Sequence, residues 1–521
     1  MIRPSTLSRR RFLGALGGAV LAGGGALGLA GCGRLSGETS GRTLASALPL
    51  PAPFTVPLPV PGVARPVRPG HYEVVQRAAK VEIVPGTRTE VWGFDGTFPG
   101  PTFDLRRGDP TVIRVRNELP VPTSTHLHGG VTPAASDGYP TDLVVAAGRG
   151  FRPPTGHIHA GMRVDPDQWT FHPGARDYVY PLEQRAATLW YHDHRMDYTG
   201  PQVWRGLAGF LLVRDDEDDA LPLPKGDRDI PLMICDRAFD EDGAFRYPSR
   251  DPSLLLRPGV EDAYMQGVEG DVVLVNGAPW PELEVDAVRY RLRLLNASNA
   301  RRYRLELRPG GRFVQVGSDA GLLAAPVEHD AITVAPAERF DVVVDFSAYP
   351  VGTRVTMVNT LGSGPARNVM AFRVARRAAD DSTVPDRLSR LERVDRSAAV
   401  ATRVFDFRMS GEWAGGWTIN GQPFRPGVPL ARPRLGTTEV WRLASDFHHP
   451  VHVHMAHFRV LTRGGKAPAA TDAGWKDTVD VRPYEVVEVL VRFEGYGGRY
   501  MMHCHNLEHE DMAMMADIEV V

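Results

Sequence analysis

Past residue 70 the chain reads as a succession of short strands. "HYEVVQRAAKVEIV" (71–84), "PTVIRVRNEL" (110–119), "GLAGFLLVRD" (206–215), "RYRLRLLNAS" (289–298), "RFDVVVDFS" (339–347), "VVEVLVRF" (486–493) and "MADIEVV" (515–521) carry the pattern. Several of them alternate apolar with polar positions, or form short apolar runs bounded by Gly, Pro, Asn or Asp, as strands do. Long amphipathic helical patterns are scarce. Two stretches break the rhythm: the acidic, proline-containing "RDDEDDALPLPKGD" (214–227) and "RRAADDSTVPDRLSRLERVDRS" (376–397). They leave three strand-rich segments, 71–215, 228–375 and 401–521, each long enough for a β-sandwich. The prediction is an all-β chain of three consecutive sandwiches.

Composition agrees. A chain of 521 residues exceeds what one core can serve, and 54 Gly and 44 Pro supply the many turns that short strands need. Apolar residues make up 43% and charged residues 23%, as in an ordinary globular protein. The net charge of −2 gives no basic surface for a nucleic-acid partner.

The first 32 residues read as an export signal. Arg9, Arg10 and Arg11, followed by Phe12 and Leu13, precede a Gly/Ala/Leu stretch, the pattern of the twin-arginine route, which carries folded proteins. The stretch ends Leu29-Ala30-Gly31-Cys32, which resembles a bacterial lipobox. Cys32 is then expected to become the lipidated first residue of an extracytoplasmic protein anchored to the cell membrane. Ordinary signal cleavage beside an incidental cysteine is the rival reading. Residues 33–70, with eight prolines from position 49 onward, are expected to form an extended spacer. No other segment has the roughly 18 apolar residues of a membrane span.

The remaining cysteines are Cys235 and Cys504, so the chain has no disulfide framework. Cys235, in "DIPLMICDRAFD", is expected to be a small buried hydrophobe. Cys504 has different company. Eleven of the 17 histidines fall into four clusters: "THLHGG" (His126, His128), "WYHDH" (His192, His194), "HHPVHVH" (His448, His449, His452, His454) and "HCHNLEH" (His503, His505, His509). Only His329 lies between His194 and His448. Side chains at i and i+2 of a strand share a face, so each H-x-H pair can offer two imidazoles to one place. The pairs 126/128, 192/194, 452/454 and 503/505 supply eight, enough for a polynuclear metal site between the first and third segments. In His503-Cys504-His505 the cysteine faces the other way and belongs to a second metal. A trigonal His2Cys site with a weak axial Met is the blue-copper arrangement, and His509, Met514 and His449 are at hand. A structural zinc closes four strong ligands and needs no eight further histidines.

Taken together, "HLHGG", "WYHDH", "HPVHVH" and "HCHNLEHEDMAMM" resemble the multicopper oxidase family over nearly all of residues 70–521. "HLHGGVTPAASDGYP", "SDAGLL", "PAERFDVVVDFS" and "GWKDTV" are similar to its bacterial three-domain, laccase-like subgroup, which includes spore-coat laccases, bilirubin oxidase and phenoxazinone synthase. The resemblance implies three consecutive cupredoxin-like Greek-key β-sandwich domains and four copper ions. It assigns the type 1 copper to His449, Cys504 and His509, with Met514 axial rather than Met512 or Met515. Type 2 copper falls to His126 and His452, and the type 3 pair to His128, His192, His194, His454, His503 and His505. Asp137 and Glu510 match positions that deliver protons to bound oxygen. The activity implied is one-electron oxidation of phenols or aromatic amines coupled to four-electron reduction of O2 to water. The alternative is oxidation of cuprous, manganous or ferrous ions for metal detoxification.

Two departures shape the expectation. Phe447 stands where bilirubin oxidases carry Trp, which argues against bilirubin. The 14 methionines gather mainly at 501–515, and no Met-rich insert of the cuprous-oxidase kind is present. His157, His159 and His172 lie outside the ligand set in a long loop, expected to be exposed rather than an accessory metal site. His448 is a spare histidine that could border the substrate site. A non-catalytic scaffold or a copper store needs neither His-Cys-His nor two unlike sites. The chain is expected to be a monomer that meets the membrane only through its lipid anchor.

Overall fold

The computed structural model describes residues 40–153, 164–392, 395–410 and 416–521. The export signal with Cys32, and the loop histidines His157 and His159, lie outside them. Three pairs of β-sheets follow one another along the chain. In the first third, Phe103–Arg106, Ala208–Arg214, Ala187–Asp193 and Thr125–His128 form one sheet in that order, and Thr89–Phe94, His71–Val81, Thr111–Asn117 and Ala175–Tyr180 form the other. The middle third pairs a large sheet centred on Asp229–Phe239, Arg289–Asn296 and Arg339–Asp345 with a five-stranded one. The last third pairs two five-stranded sheets. In each third an early strand lies parallel to a later one, as His71–Val81 beside Thr111–Asn117 and Ala399–Ser410 beside Thr438–Ser445, while hairpin neighbours run antiparallel. Such crossing connections are those of Greek-key sandwiches, and the fold is three cupredoxin-like sandwiches.

The strands bury the faces their pattern assigns them. Thr111–Asn117 alternates buried with half-buried or exposed positions, and Ala187–Asp193 is buried throughout because sandwich and neighbouring third cover both of its faces. A small apolar cluster of Tyr139, Met196, Phe424, Met501, Ala513 and Met515 joins the first third to the last. Cys235 is buried in Asp229–Phe239, and burial pushes its thiol up to about 11.

One expectation is corrected. The proline-rich segment is no free spacer: from residue 40 onward it lies along the sandwiches. Arg42–Leu44 pairs in parallel with Val268–Gly270. Phe54 N–H donates to Trp280 O at 2.8 Å, Leu58 N–H to Glu282 O at 2.9 Å and Ala64 N–H to Thr102 O at 2.8 Å. Leu44, Leu48 and Leu58 are buried. The prolines lack donors, but the residues between them do not, and each buried Leu contributes about 1.5–3 kcal/mol that a solvated extended chain forgoes. The segment also covers strand edges that would otherwise be open.

Beyond Arg214, which ends the strand Ala208–Arg214, the stretch 214–227 is strandless as expected, with a short helix Asp216–Ala220 that puts Asp218 against Arg291 at 2.8 Å. Among the described residues no helix is long and apolar enough to cross a membrane.

Candidate metal centres

Two strands of the last third carry most of the chemistry. Gly498–Cys504 runs antiparallel to His449–Val453, with Val451 opposite Cys504 and His452 opposite His503. The alternation of side chains therefore sorts His503 to one side and Cys504 to the other.

On the Cys504 side the donors are few and close. His449 Nδ1 lies 3.4 Å from Cys504 Sγ, His509 Nδ1 lies 3.6 Å from it, and the two nitrogens are 3.1 Å apart. His509 is delivered by the one-turn helix Leu507–Asp511 that follows the strand. Met514 is fully buried, its N–H donating to His509 O at 3.0 Å and its carbonyl accepting from Cys504 N–H at 3.1 Å. Burial pushes the Cys504 thiol well above its usual range, opposed by the Asn506 N–H that points at the sulfur. Only a cation beside Sγ stabilises a thiolate there. Trp417 packs on His509 with ring centres 3.7 Å apart, and Phe447 borders both histidines. The outer edge of His449 reaches the half-buried Asp446, Nε2 to Oδ1 3.3 Å.

On the other side eight imidazoles converge. Thr125–His128 and Ala187–Asp193 are antiparallel neighbours that place His126 opposite His192. His126 Nε2 faces His452 Nε2 at 3.4 Å. His503 Nε2 faces His194 Nε2 at 3.3 Å and His454 Nε2 at 3.1 Å. The rings of His128, His192 and His505 form a third group with centres 5.0–5.8 Å apart. Burial holds His126, His128, His192, His454, His503 and His505 well below the usual histidine range, and His194 at about 4. Where Nδ1 donates outward, as in His126, His452, His454 and His503, the inward-facing Nε2 presents a lone pair to its neighbour. His128 Nδ1, His192 Nε2 and both nitrogens of His505 are buried with no hydrogen-bond partner among the described residues. Uncompensated, such groups are costly to bury, and metal ions between the rings would relieve them.

The outer nitrogens are anchored, which fixes ring orientation and tautomer. His192 Nδ1 donates to Asp193 O at 2.8 Å, His452 Nδ1 to Asp477 O at 2.9 Å and His503 Nδ1 to Cys504 O at 3.2 Å. His128 is held the other way round, Nε2 donating to Asp477 Oδ1 at 3.0 Å. The bond between His503 and the Cys504 carbonyl links the two centres directly.

Both predicted acids are at the cluster. Asp137 takes His126 Nδ1 on its backbone oxygen at 2.5 Å and His454 Nδ1 on Oδ2 at 2.8 Å. Glu510 lies between His503 Nδ1, at 3.1 Å, and His194 Nδ1, at 3.4 Å. Burial raises both carboxyls above the usual range. His448 departs from the expectation: it is buried, facing Asp480 and Arg302 rather than a substrate surface. His172 pairs with Asp142 at 2.7 Å. Sequence reasoning passed over Asp446, Asp477 and Trp417. "GWKDTV" was the signal for Asp477; nothing local marks the other two.

Residues 397–521 match one family model described as "Multicopper oxidase", and residues 76–153 and 149–218 match another of the same description. The chain is 35% identical to a laccase of Bacillus stratosphericus, covering 90% of this chain and 99% of that one. It is 34% identical to a laccase of Bacillus subtilis (strain 168), covering 90% and 98%. A solved multicopper oxidase of Pediococcus acidilactici superposes with a TM-score of 0.77 at 29% identity over 92% of this chain and 93% of that one.

Proposed function

Starting from the fact that the chain belongs to the multicopper oxidase family, as a copper-binding, laccase-like oxidoreductase that uses O2, we propose the following division of labour. His449, Cys504 and His509, with Met514 beside them, would hold a type 1 copper, which would supply the acceptor for electrons from phenols or aromatic amines. His126 and His452 would hold a type 2 copper, and His128, His192, His194, His454, His503 and His505 would hold a type 3 pair. The observation that carries this reading is the sorting at 503–505, where neighbouring residues serve separate centres joined by the His503–Cys504 carbonyl bond. Bound copper supplies one-electron acceptance at the first centre and four-electron reduction of dioxygen to water at the second.

The chain supplies the rest. Half-buried Phe447 borders His449 and His509, which favours flat aromatic reductants, and half-buried Asp446, at His449 Nε2, can take the proton a phenol sheds on oxidation. Oxygen reduction consumes four protons. Asp137 Oδ1 and both Glu510 oxygens are buried beside the histidines without a hydrogen bond among the described residues, and these two acids are placed to deliver protons. The same reading takes 71–215, 228–375 and 401–521 as the three domains of a monomer, exported by the twin-arginine route and anchored through Cys32.

Oxygen uptake by the copper-loaded protein, with a methoxyphenol or with Cu(I) as reductant, tests the substrate class. Rapid uptake with the phenol and little enzyme-dependent uptake with Cu(I) is expected. The reverse would make it a metal oxidase, and no uptake with either would sink the oxidase assignment.

A further inference from the structure

We propose that Arg339, from the middle third of the chain, is the positioning residue that fixes the histidines of the two outer thirds against one another. The inference rests on the reading above, in which His128 and His452 hold copper. Its guanidinium is fully buried, and every N–H has an acceptor. Nε donates to Thr188 O at 2.9 Å, Nη1 to Ala337 O at 3.1 Å and Nη2 to Asp319 O at 3.0 Å. The remaining two N–H groups form a fork on Asp477, Nη1 to Oδ1 at 2.7 Å and Nη2 to Oδ2.

Each partner leads to the cluster. Thr188 sits on the strand that carries His192. Asp477 takes His128 Nε2 on its carboxylate at 3.0 Å and His452 Nδ1 on its carbonyl at 2.9 Å. The next residue, Thr478, lies opposite His452 across the strand pair, with Oγ1 3.0 Å from His128 Nε2. One rigid fork therefore sets the position of a carboxylate that orients a histidine of the first third and a histidine of the last. Gly129 shows how closely the pair is packed under the ligand loop. A Cβ there would meet Arg339 Nη2 at 2.5 Å and Asp477 Oδ2 at 2.7 Å. A third of the chain that offers the cluster no ligand thus still holds it in register.

A plain structural tie between thirds is the rival role, and Arg291 serves as its control. It is equally buried and forked on Asp341, with a further bond to Asp218, but none of these bonds reaches a metal-binding histidine. The test compares R339M, R339K and R291M as full-length, copper-loaded proteins, by copper content, electron paramagnetic resonance and steady-state kinetics with a phenol. In R339M the blue type 1 absorption should persist while the type 2 signal falls to less than half. Its kcat should drop about 10–100-fold, as for other lost supports of metal ligands, with KM for the phenol held within about twofold. R339K should recover part of the type 2 signal. R291M should lose thermal stability with its type 2 signal and kcat unchanged.

The proposal is overturned if R339M keeps its type 2 signal and kcat. It is also overturned if R339M loses type 1 and type 2 signals in parallel, as a general tie would. Should R339M fail to accumulate, R339K decides: a perturbed type 2 spectrum supports the role and an unchanged one overturns it. Wild-type protein without a type 2 signal would instead overturn the copper assignment itself, which keeps the two failures apart.

Discussion

Replacing Glu510 with Gln separates its proton from its shape. The carboxyl oxygens lie 3.1 Å from His503 Nδ1 and 3.4 Å from His194 Nδ1, deep in a site with no exposed surface. Gln fills the same volume, and His503 Nδ1 keeps its bond to the Cys504 carbonyl at 3.2 Å, so the ring keeps its orientation and the copper should stay. What is lost is the group that stores a proton at the cluster. General acids of this kind contribute about 10²–10⁴-fold, or about 3–5 kcal/mol of barrier, and kcat for oxygen uptake should fall within that range. Reduction of the blue centre by phenol without oxygen should be unaffected, because Cys504 and its ligands do not touch the substituted atom. The pH profile carries the sign. Burial raises the Glu510 carboxyl, so the proton is kept to higher pH than for an ordinary Glu, and wild-type turnover should decline as pH rises through that raised value. E510Q has nothing to lose there and should lack that limb. Turnover within about twofold of wild type, with the alkaline limb intact, would refute the role, since a catalytic acid is worth more than that.

Three further outcomes follow from the geometry. C504S should lose the blue absorption and phenol-driven uptake while retaining the copper held by the eight histidines; copper analysis and visible spectra decide it, and phenol oxidation at the wild-type rate would count against it. Leu58→Ala should lower stability by about 2–3 kcal/mol, the low end for a buried Leu, measured by denaturant unfolding. A change under about 0.5 kcal/mol would restore the spacer reading of this segment. The buried aspartates Asp218, Asp229 and Asp480 are held below the usual carboxylate range by Arg291, Arg293 and Arg302 against the cost of burial. Their stabilisation is complete above about pH 4, the ordinary Asp value, and is lost as pH falls through the depressed values. Thermal midpoints should therefore fall steeply below about pH 4, and a flat profile down to pH 3 would contradict the ion-pair assignment.

What could be read from the sequence follows from which physics is local. The period-two alternation of strands sorted His503 and His505 from Cys504 before any coordinates, because neighbouring strand positions must face opposite ways. The strand-rich segments were equally plain, since each carries its own apolar pattern. The proline-rich segment was misread because its composition advertises the prolines, whereas its fate is decided by Leu44, Leu48 and Leu58 and by the edges they cover. His448 was misjudged because its neighbour His449 faces Cys504 and His509, and alternation turns the two apart. Arg339 and Asp477 stand 138 positions apart, and no spacing rule reaches that far. Only the folded chain shows that an arginine among buried valines ends on the carboxylate that accepts from His128.

The central claim is that electrons collected singly at Cys504 are spent four at a time on dioxygen. The direct measurement is the stoichiometry of oxygen uptake against phenol oxidised, with peroxide assayed in the same vessel. The account predicts one O2 consumed for every four one-electron oxidations, no peroxide, and no uptake in C504S. Accumulating peroxide, a ratio of one to two, or undiminished uptake without Cys504 would contradict it.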